Sequence, residues 1–409
     1  MQRRHFLSWI GAAGALTTIS RYPSVRTLAS DAPDSSAPPT PSTVPSTPDV
    51  VPDSPETYTS VRDGIVWFDV AKLPIEGRVW NQEPRFRTFD RFPSRAEKIL
   101  TPGVWGNSRH SAGMVWRFLS DAPAFHIHYR LLSDRVAMTH MPATGVSGFD
   151  LYARDESGAL RWVEVTRPTK REDTTKLTDG LAPGKREYWL YFPLYNGVDS
   201  LEIGIPEGDA TLEPLAPRNT PVGGNVKPIL MYGTSILHGG CAARPGMPHP
   251  AILGRRLDWP VLNFGFSGAA RMETPLAELF AELDPMVYVL DPLPNMDPEL
   301  VRERARPFIE ILRTKRPETP IVLVEDRPFT NAWIHPQKLR FHEENHRALR
   351  QTYETLVKNG MERLWYVPGD SLFGDDHDGA VDGSHATDLG FYRQADVLEP
   401  VLRESLGLE

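Results

Sequence analysis

The chain has 409 residues, of which 40% are hydrophobic, and its formal net charge is −8. This length predicts at least two domains with sizeable cores, and the negative charge, without any basic block, argues against nucleic acid as the main partner. The single cysteine, Cys241, excludes an intrachain disulfide framework and a zinc site made of several cysteines.

Residues 1–29 have the pattern of a twin-arginine export signal. Arg3 and Arg4 precede a weakly apolar stretch of small residues from Trp9 to Ile19, which is too short to span a bilayer. A short N-terminal anchor is the alternative interpretation. No later run is long and apolar enough for a transmembrane helix. We therefore expect an exported protein, periplasmic or extracellular, whose mature form has no membrane span.

Residues 30–57 are rich in proline, serine, threonine and aspartate. Such a segment cannot bury enough apolar surface to offset the conformational entropy that it would lose on ordering. The composition therefore predicts a flexible tether between the signal and the first domain. A glycosylated or wall-spanning stalk would have the same composition.

Residues 58–218 are predicted to form an antiparallel β-sandwich. Short runs, several of which alternate apolar and polar residues, are separated by turns rich in glycine, proline and asparagine. No helical period of useful length interrupts them, which favours a β-sandwich over a mixed domain. The predicted strands are Ile65–Val70, Phe125–Arg130, Phe149–Ala153, Leu160–Val165, Tyr188–Phe192 and Leu201–Ile205.

Prolines and glycines between residues 214 and 224 mark a boundary, after which the pattern changes. In residues 219–409, apolar strands alternate with amphipathic helices, and this alternation predicts a three-layer α/β/α domain with a parallel sheet. The predicted strands are 228–232, 260–264, 286–290, 320–324 and 364–367. The predicted helices lie near 249–257, 274–283, 298–315 and 338–359, with a last one after Asp388.

Ser235 lies two residues beyond Gly233, where the first apolar run of this sheet ends. Open α/β sheets bind their ligands at the carboxyl ends of the strands, so Ser235 is a candidate nucleophile. His385, in a glycine-containing loop beyond the last strand, is the candidate base, and Asp382 can reach its other ring nitrogen. Taken singly, a surface histidine and a turn or helix-capping aspartate would be the more ordinary interpretations.

The negative charge that develops during attack on an ester needs hydrogen-bond donors. We expect these from the backbone N–H groups of Ser235 and Gly268 and from the side-chain amide of Asn295. The ordinary alternatives are a turn glycine and a helix cap ahead of Asp297. Position 237 is leucine, so the serine does not belong to a Gly-x-Ser-x-Gly elbow.

In chain order, the candidates stand in the blocks Gly-Thr-Ser235, Gly268, Asn295 and Asp382-x-x-His385. This order resembles the SGNH (GDSL-like) hydrolase superfamily, in a subgroup whose first block has threonine where aspartate is commoner. The stretch Met141–Arg154 resembles the signature of the N-terminal β-domain of that subgroup, so the resemblance covers residues 58–409.

The resemblance implies a flavodoxin-like catalytic domain and a serine esterase with Ser235, His385 and Asp382 as its triad. It implies no cofactor and no metal, and it implies short acyl esters on carbohydrates, acetyl esters foremost, as substrates. Ala386 stands where proline is usual after the histidine, and Ala269 and Ala270 lack a polar residue often present there. The alanine at 386 predicts a less rigid loop with the same chemistry, and the alanines at 269 and 270 predict substrate contacts that differ from the usual pattern.

Three other functions remain open from the sequence. A carbohydrate O-acyltransferase would use the same residues, and a non-catalytic carbohydrate-binding protein would leave them unused. The third is a zinc hydrolase, since His342-Glu343-x-x-His346 matches a zinc-protease motif with Glu343 as its base. Against this alternative, both histidines fit the sheet-facing side of a helix, and no third ligand follows nearby.

Overall fold

The computed structural model describes residues 51–220 and 223–408. The predicted export signal and the predicted tether up to residue 50 lie outside the described residues. The first described element is a single 3-10 turn, Pro55–Thr57. Among the helices of the described residues, none combines the length and apolar composition that crossing a membrane requires.

The first domain consists of two five-stranded antiparallel sheets that share one core. One sheet has the strand order β1-β2-β9-β4-β7 and the other has the order β10-β3-β8-β5-β6. Alternate residues of β4 face inward, so that Ile127 packs with Trp116 of β3 and Leu190 of β8 in one cluster. The elements are β1 (Thr59–Arg62), β2 (Ile65–Asp69), α1 (Pro102–Ser108), β3 (Val115–Ser120), β4 (Phe125–Leu131), α2 (Ala143–Val146), β5 (Asp150–Arg154), β6 (Leu160–Val165), β7 (Glu172–Thr178), β8 (Arg186–Tyr191), β9 (Val198–Pro206) and β10 (Leu212–Pro214).

The six strands expected in this domain are all present, and the β-sandwich is confirmed. Four further strands escaped the sequence analysis for physical reasons. β1, β7 and β10 are edge strands with polar or very short sequences, and they lack the alternation that burial of one face imposes. β3 is not at an edge, but Arg117 interrupts its apolar run and pairs with the buried Glu76 and the partly buried Glu187. α1 and α2 are too short to show a helical period.

The second domain is a parallel five-stranded sheet with helices on both faces. Residues of β11 alternate between two cores: Leu230 and Tyr232 lie in one, and Ile229 and Met231 lie in the other. Burial on both faces explains why this strand reads as a continuous apolar run. The elements are β11 (Ile229–Gly233), α3 (Ser235–His238), α4 (His249–Arg256), β12 (Val261–Gly265), α5 (Thr274–Glu282), β13 (Val287–Asp291), α6 (Pro298–Lys315), β14 (Ile321–Val324), α7 (Pro336–Lys358), β15 (Leu364–Val367) and α8 (Asp388–Leu406).

The strand order is β12-β11-β13-β14-β15, which is the flavodoxin-like order that the resemblance implies. The chain moves from β11 to one side and then crosses to the other, so the strand order reverses beside β11. At such a reversal the loops after neighbouring strands separate and open a crevice. Ser235 lies at this crevice, because β11 ends at Gly233, two residues before it.

A cluster of charged residues around a buried carboxylate, Glu76, joins the two domains. Glu76, which is 4% exposed, accepts hydrogen bonds from the guanidinium of Arg218 at 2.6 Å and from its backbone N–H at 3.0 Å. Arg117 of β3 lies 3.3 Å from the same carboxylate. Arg218 also donates to the carbonyl of Asp258 in the second domain, at 2.8 Å. Burial raises the pKa of Glu76, but the charges of Arg218 and Arg117 outweigh it, and the net pKa is lowered.

Replacing this carboxylate should destabilise the fold strongly. We expect Glu76→Gln to lower the free energy of unfolding at neutral pH by about 3–5 kcal/mol, because the charge of Arg218 stays buried without its partner. The lowered pKa of Glu76 means that its contribution is present above its unfolded-state pKa and is lost as pH falls through the folded-state pKa. The difference between wild type and variant, measured by denaturant unfolding, should therefore shrink on acidification.

The matched control is Glu202→Gln, because Glu202 pairs with the half-exposed Arg62 at 2.7 Å. An exposed pair of this kind contributes about 0–1 kcal/mol. Equal losses of unfolding free energy in the two variants would contradict the assignment of Glu76 as the centre of the charged cluster between the domains.

Candidate active site

The turn from β11 into α3 brings Ser235 to the carboxyl edge of the sheet. A Cβ on Gly233 would lie 2.8 Å from the carbonyl oxygen of Asp291, so a side chain at this position would collide with the neighbouring strand. The hydroxyl of Thr234 accepts a hydrogen bond from the N–H of Ile236 and caps α3. Ser235 is therefore the first residue of a short helix, and it is 9% exposed.

Three of the predicted residues form one hydrogen-bonded chain. Ser235 Oγ lies 2.7 Å from His385 Nε2, and His385 Nδ1 lies 2.7 Å from Asp382 Oδ2. Asp382 Oδ1 also accepts from the backbone N–H groups of Ser384, at 3.0 Å, and His385, at 2.8 Å. A proton on Nδ1 that is donated to Asp382 leaves Nε2 free to accept the proton of the serine hydroxyl.

The electrostatics keep the carboxylate of this chain ionised. Partial burial raises the pKa of Asp382, but hydrogen bonds from the ring and the backbone N–H of His385 outweigh it. The net pKa lies below the ordinary range of an aspartate. Asp382 therefore carries its negative charge at neutral pH, where it can orient His385 and stabilise an imidazolium.

The two remaining candidates follow the strands on either side of β11. Gly268 comes after β12 and adopts φ +66°, with open space where a side chain would be. Asn295 comes after β13 and ends the 3-10 turn Leu293–Asn295. Since β12 and β13 both pair with β11, the donors predicted for the oxyanion lie on three adjacent loops.

Asn295 is not the helix cap that the sequence allowed. Asp297 caps α6 instead, because its Oδ1 accepts from the N–H of Leu300 at 2.9 Å. The Nδ2 atom of Asn295 is buried and has no hydrogen-bond partner among the described residues. A buried donor without a partner costs about 1–3 kcal/mol, and a bound ligand is one way to supply the missing acceptor.

The first domain also reaches this site, through Tyr195 and His140. The hydroxyl of Tyr195 donates to the carbonyl oxygen of Ser235 at 3.2 Å, and its ring stacks on His238 at 4.3 Å. The exposed ring of His140 lies 6.0 Å from the ring of His385. Tyr195 belongs to a segment that reads as an ordinary turn, and only the packing of the domains shows its contact.

Two family models match the chain, one in each domain. Residues 226–403 match the GDSL-like lipase/acylhydrolase family, and residues 65–211 match the N-terminal domain of SGNH-hydrolase-type esterases. The chain belongs to the GDSL-like (SGNH) hydrolases. The resemblance inferred from the sequence blocks is thereby confirmed, and the protein is an ester hydrolase of the SGNH type. Comparison with curated proteins yields no match.

Solved structures of similar fold include enzymes of two kinds. A protein from Bacteroides ovatus ATCC 8483 assigned as a GDSL-like lipase is 28% identical, with a TM-score of 0.78 over 84% of this chain and 99% of that chain. The salicylyl-acyltransferase SsfX3 of a tetracycline biosynthetic pathway is 17% identical, with a TM-score of 0.61 over 86% and 94%. A family two carbohydrate esterase from Clostridium thermocellum is 15% identical, with a TM-score of 0.50 over 72% and 93%. Likeness to the last two shows the fold alone.

In this SGNH hydrolase, the signature of the first domain holds the loop that follows α3. Asp150, which is fully buried, accepts from the N–H of Gly246 at 2.8 Å and from Arg244 at 2.9 Å. Its other oxygen accepts from the indole N–H of Trp162 at 3.0 Å.

Cys241, in the loop that follows α3, is buried, which raises the pKa of its thiol to about 12. A thiol that stays protonated is a poor nucleophile.

The residues of the zinc-protease motif, His342 and His346, lie beside a third possible ligand that the sequence did not predict. A third group is present after all, because Asp326 lies upstream and its carboxylate is 2.5 Å from His342 Nδ1 and 2.6 Å from His346 Nε2. However, His342 Nε2 accepts the N–H of Phe329 at 3.0 Å, so the ring proton resides on Nδ1. This nitrogen donates to Asp326 and offers no lone pair to a metal. Glu343, the supposed base, is exposed to solvent.

We therefore interpret these residues as a buried proton-sharing cluster. His346 lies between Asp326 and Glu325, and Glu325 in turn pairs with Arg350 at 2.9 Å. Burial lowers the pKa of His346, but its hydrogen bond to Asp326 and the charges of both carboxylates outweigh it, and the net pKa is raised. The cluster thus favours a protonated His346.

The raised pKa of His346 makes its contribution to stability depend on pH. The contribution is full below the unfolded-state pKa of about 6.5 and is lost as pH rises through the folded-state pKa. We expect His346→Gln to lower the free energy of unfolding more at about pH 6 than at about pH 9, as measured by urea unfolding. Glu325, Asp326, His342 and Arg350 face His346 and remain in both proteins.

A chelator provides the control for this experiment. If a metal were bound, the chelator would lower the free energy of unfolding of the wild type. The difference in this quantity between the wild type and His346→Gln would then become smaller. Either that result, or a difference that grows with pH, would contradict the proton-sharing interpretation.

Proposed function

We propose that this SGNH hydrolase removes short acyl groups, acetyl foremost, from a carbohydrate through an acyl-enzyme on Ser235. The observation that carries the proposal is the unbroken hydrogen-bonded chain from Ser235 Oγ through His385 to Asp382, at the strand-order reversal of the sheet. A non-catalytic carbohydrate-binding protein would have no need of this alignment.

The hydrogen-bonded side chains of Ser235, His385 and Asp382 can perform both the acylation and the deacylation of the enzyme. As Ser235 Oγ attacks the ester carbonyl carbon, His385 Nε2 takes the hydroxyl proton, and the ionised Asp382 stabilises the resulting imidazolium. When the tetrahedral intermediate collapses, the same proton passes to the leaving alcohol. Water then gives its proton to Nε2 and attacks the acyl-enzyme, which releases the carboxylic acid and returns the proton to Ser235.

The developing oxyanion receives hydrogen bonds from the backbone N–H groups of Ser235 and Gly268 and from Nδ2 of Asn295. The unpartnered Nδ2 of Asn295 supports this role, because an oxyanion would supply the acceptor that it lacks. No cofactor takes part in these steps.

A carbohydrate substrate is supported by one solved structure of similar fold and by the predicted export signal. The family two carbohydrate esterase from Clostridium thermocellum was solved in complex with cellohexaose. The twin-arginine pattern of residues 1–29, with the polar tether that follows, suits a polymeric substrate outside the cytoplasm. We accordingly propose that the enzyme is exported and acts on an acetylated glycan.

The second candidate function is transfer of the acyl group to a sugar hydroxyl instead of water. It is favoured by the likeness to a salicylyl-acyltransferase, whose TM-score of 0.61 exceeds that of the carbohydrate esterase. Both reactions share the acyl-enzyme, so analysis of the products formed with and without an acceptor sugar separates them. Free acetate in the presence of acceptor supports hydrolysis, and an acetylated acceptor supports transfer.

Ser235→Ala should abolish the reaction on the acyl group. We expect kcat/KM for an aryl acetate and for an acetylated oligosaccharide to fall by at least about 1,000-fold, because no other group can form the acyl-enzyme. Ser384→Ala is the matched control, since it keeps the backbone N–H that Asp382 accepts. The wild type should keep its activity in chelator. Activity retained by Ser235→Ala would refute the proposed mechanism.

His140 should affect binding of the alcohol part of the substrate. It stands exposed on the tight turn between Met138 and Met141, and its ring borders His385, the group that protonates the leaving alcohol. We expect His140→Ala to raise KM for an acetylated oligosaccharide by about 3–10-fold, the effect of losing one hydrogen bond. KM for an aryl acetate should stay unchanged.

The exposed His377, in an acidic loop, provides the control for this variant. His377→Ala should leave both KM values unchanged. An equal rise of KM for both substrates in His140→Ala would show that this residue does not contact the alcohol part.

A further inference from the structure

The loop that carries Gly268 is a tight turn whose central peptide can adopt two orientations. The N–H of Ala269 donates to the carbonyl of Phe266 at 3.1 Å, and Gly268 at the third position has φ +66°. A positive φ at this position is the mark of a type II turn. In a type I turn, the peptide between Ser267 and Gly268 is rotated by about 180°. The direction of the Gly268 N–H therefore depends on which turn forms.

A residue of the first domain selects between these orientations. Nδ2 of Asn107, at the end of α1, donates to the carbonyl oxygen of Ser267 at 3.1 Å. This carbonyl and the N–H of Gly268 belong to one planar trans peptide, and they point in opposite directions. The hydrogen bond from Asn107 thus fixes the Gly268 N–H to point away from α1. Apart from its two neighbours in the chain, no described residue has an atom within 4 Å of the position that a Cβ on Gly268 would take, so steric contact at this position does not fix the direction of the N–H.

A buried arginine holds Asn107 and the end of β12 together. Arg91 is 2% exposed, and it donates to the carbonyl of Asn107 at 2.6 Å and to the carbonyls of Asn263 and Gly265 at 2.9 Å each. Its guanidinium also lies 4.9 Å above the ring of Phe266. Among the described residues, no carboxylate pairs with it. Burial lowers the pKa of Arg91 to about 9, which still leaves it charged at neutral pH.

We propose that Asn107, held by Arg91, is a positioning residue for the oxyanion hole. It keeps the turn 266–269 in the orientation that directs the Gly268 N–H into the crevice at Ser235. The first domain thereby sets the geometry of a donor that belongs to the second. This inference rests on the proposed role of Gly268 in the reaction.

Asn107→Asp tests the proposal with almost no change of shape. A carboxylate cannot donate to the Ser267 carbonyl and instead favours the flipped peptide, whose N–H would point towards it. We expect kcat to fall by about 100–1,000-fold, the effect of losing one oxyanion donor, with KM within about twofold of the wild type. Asn107→Ala removes the preference without reversing it, so its kcat should fall less, by about 10-fold.

The second readout is inhibition by methylboronic acid, which mimics the tetrahedral intermediate when Ser235 Oγ adds to boron. Its affinity should fall in parallel with kcat/KM in both Asn107 variants, because the mimic uses the same donors. A merely structural role of Asn107 would lower the melting temperature without weakening this adduct selectively.

Ser108→Ala is the matched control. Ser108 is the buried neighbour of Asn107 in α1, and its hydroxyl donates to the carbonyl of Trp105 within the same helix, at 2.7 Å. We expect this variant to be less stable, with kcat and boronate affinity unchanged.

Wild-type kcat in folded Asn107→Asp would overturn the proposal, and so would an equal loss of kcat in Ser108→Ala. If Asn107→Asp does not fold, Asn107→Ala decides in the same way, and unchanged kcat there overturns it. Failure of the proposed function looks different, because Ser235→Ala would then keep its activity and methylboronic acid would not inhibit the wild type.

Discussion

The site depends on the close approach of two parallel strands at Gly233. The carbonyl oxygen of Asp291 occupies the position that a side chain on Gly233 would take, so the chain can leave β11 against β13 only with glycine there. The short helix that follows then begins at Ser235, between the loops that carry Gly268 and Asn295. The reversal of strand order beside β11 keeps those loops apart.

The β-sandwich is part of the framework of the active site. Asp150 binds the loop after α3, Tyr195 binds the carbonyl of Ser235, and Asn107 binds the turn 266–269. His140 completes the set beside His385. Each of these side chains approaches a different loop of the second domain. The first domain therefore contacts four loops that border the candidate active site.

The parallel sheet could be predicted because burial on both faces leaves continuous apolar runs such as Ile229–Tyr232. The proximity of Ser235, Asp382 and His385 could be predicted because their chemistry and strand-end positions agree. Asn107 and Tyr195 could not, since their contacts join residues 160 and 40 positions apart in the sequence and arise only from domain packing. Edge strands such as β7 also lacked a signal, because solvent replaces the core that would impose alternation.

In the proposed mechanism, Asn295 places stability and reactivity in opposition. Its Nδ2 lies in the protein interior and has no acceptor among the described residues, and a buried donor that stays unpaired costs about 1–3 kcal/mol. An apolar residue of similar size would remove that cost together with the proposed oxyanion donor. With this role for Asn295, selection for heat resistance alone would drive the position away from asparagine, whereas selection for turnover would retain it.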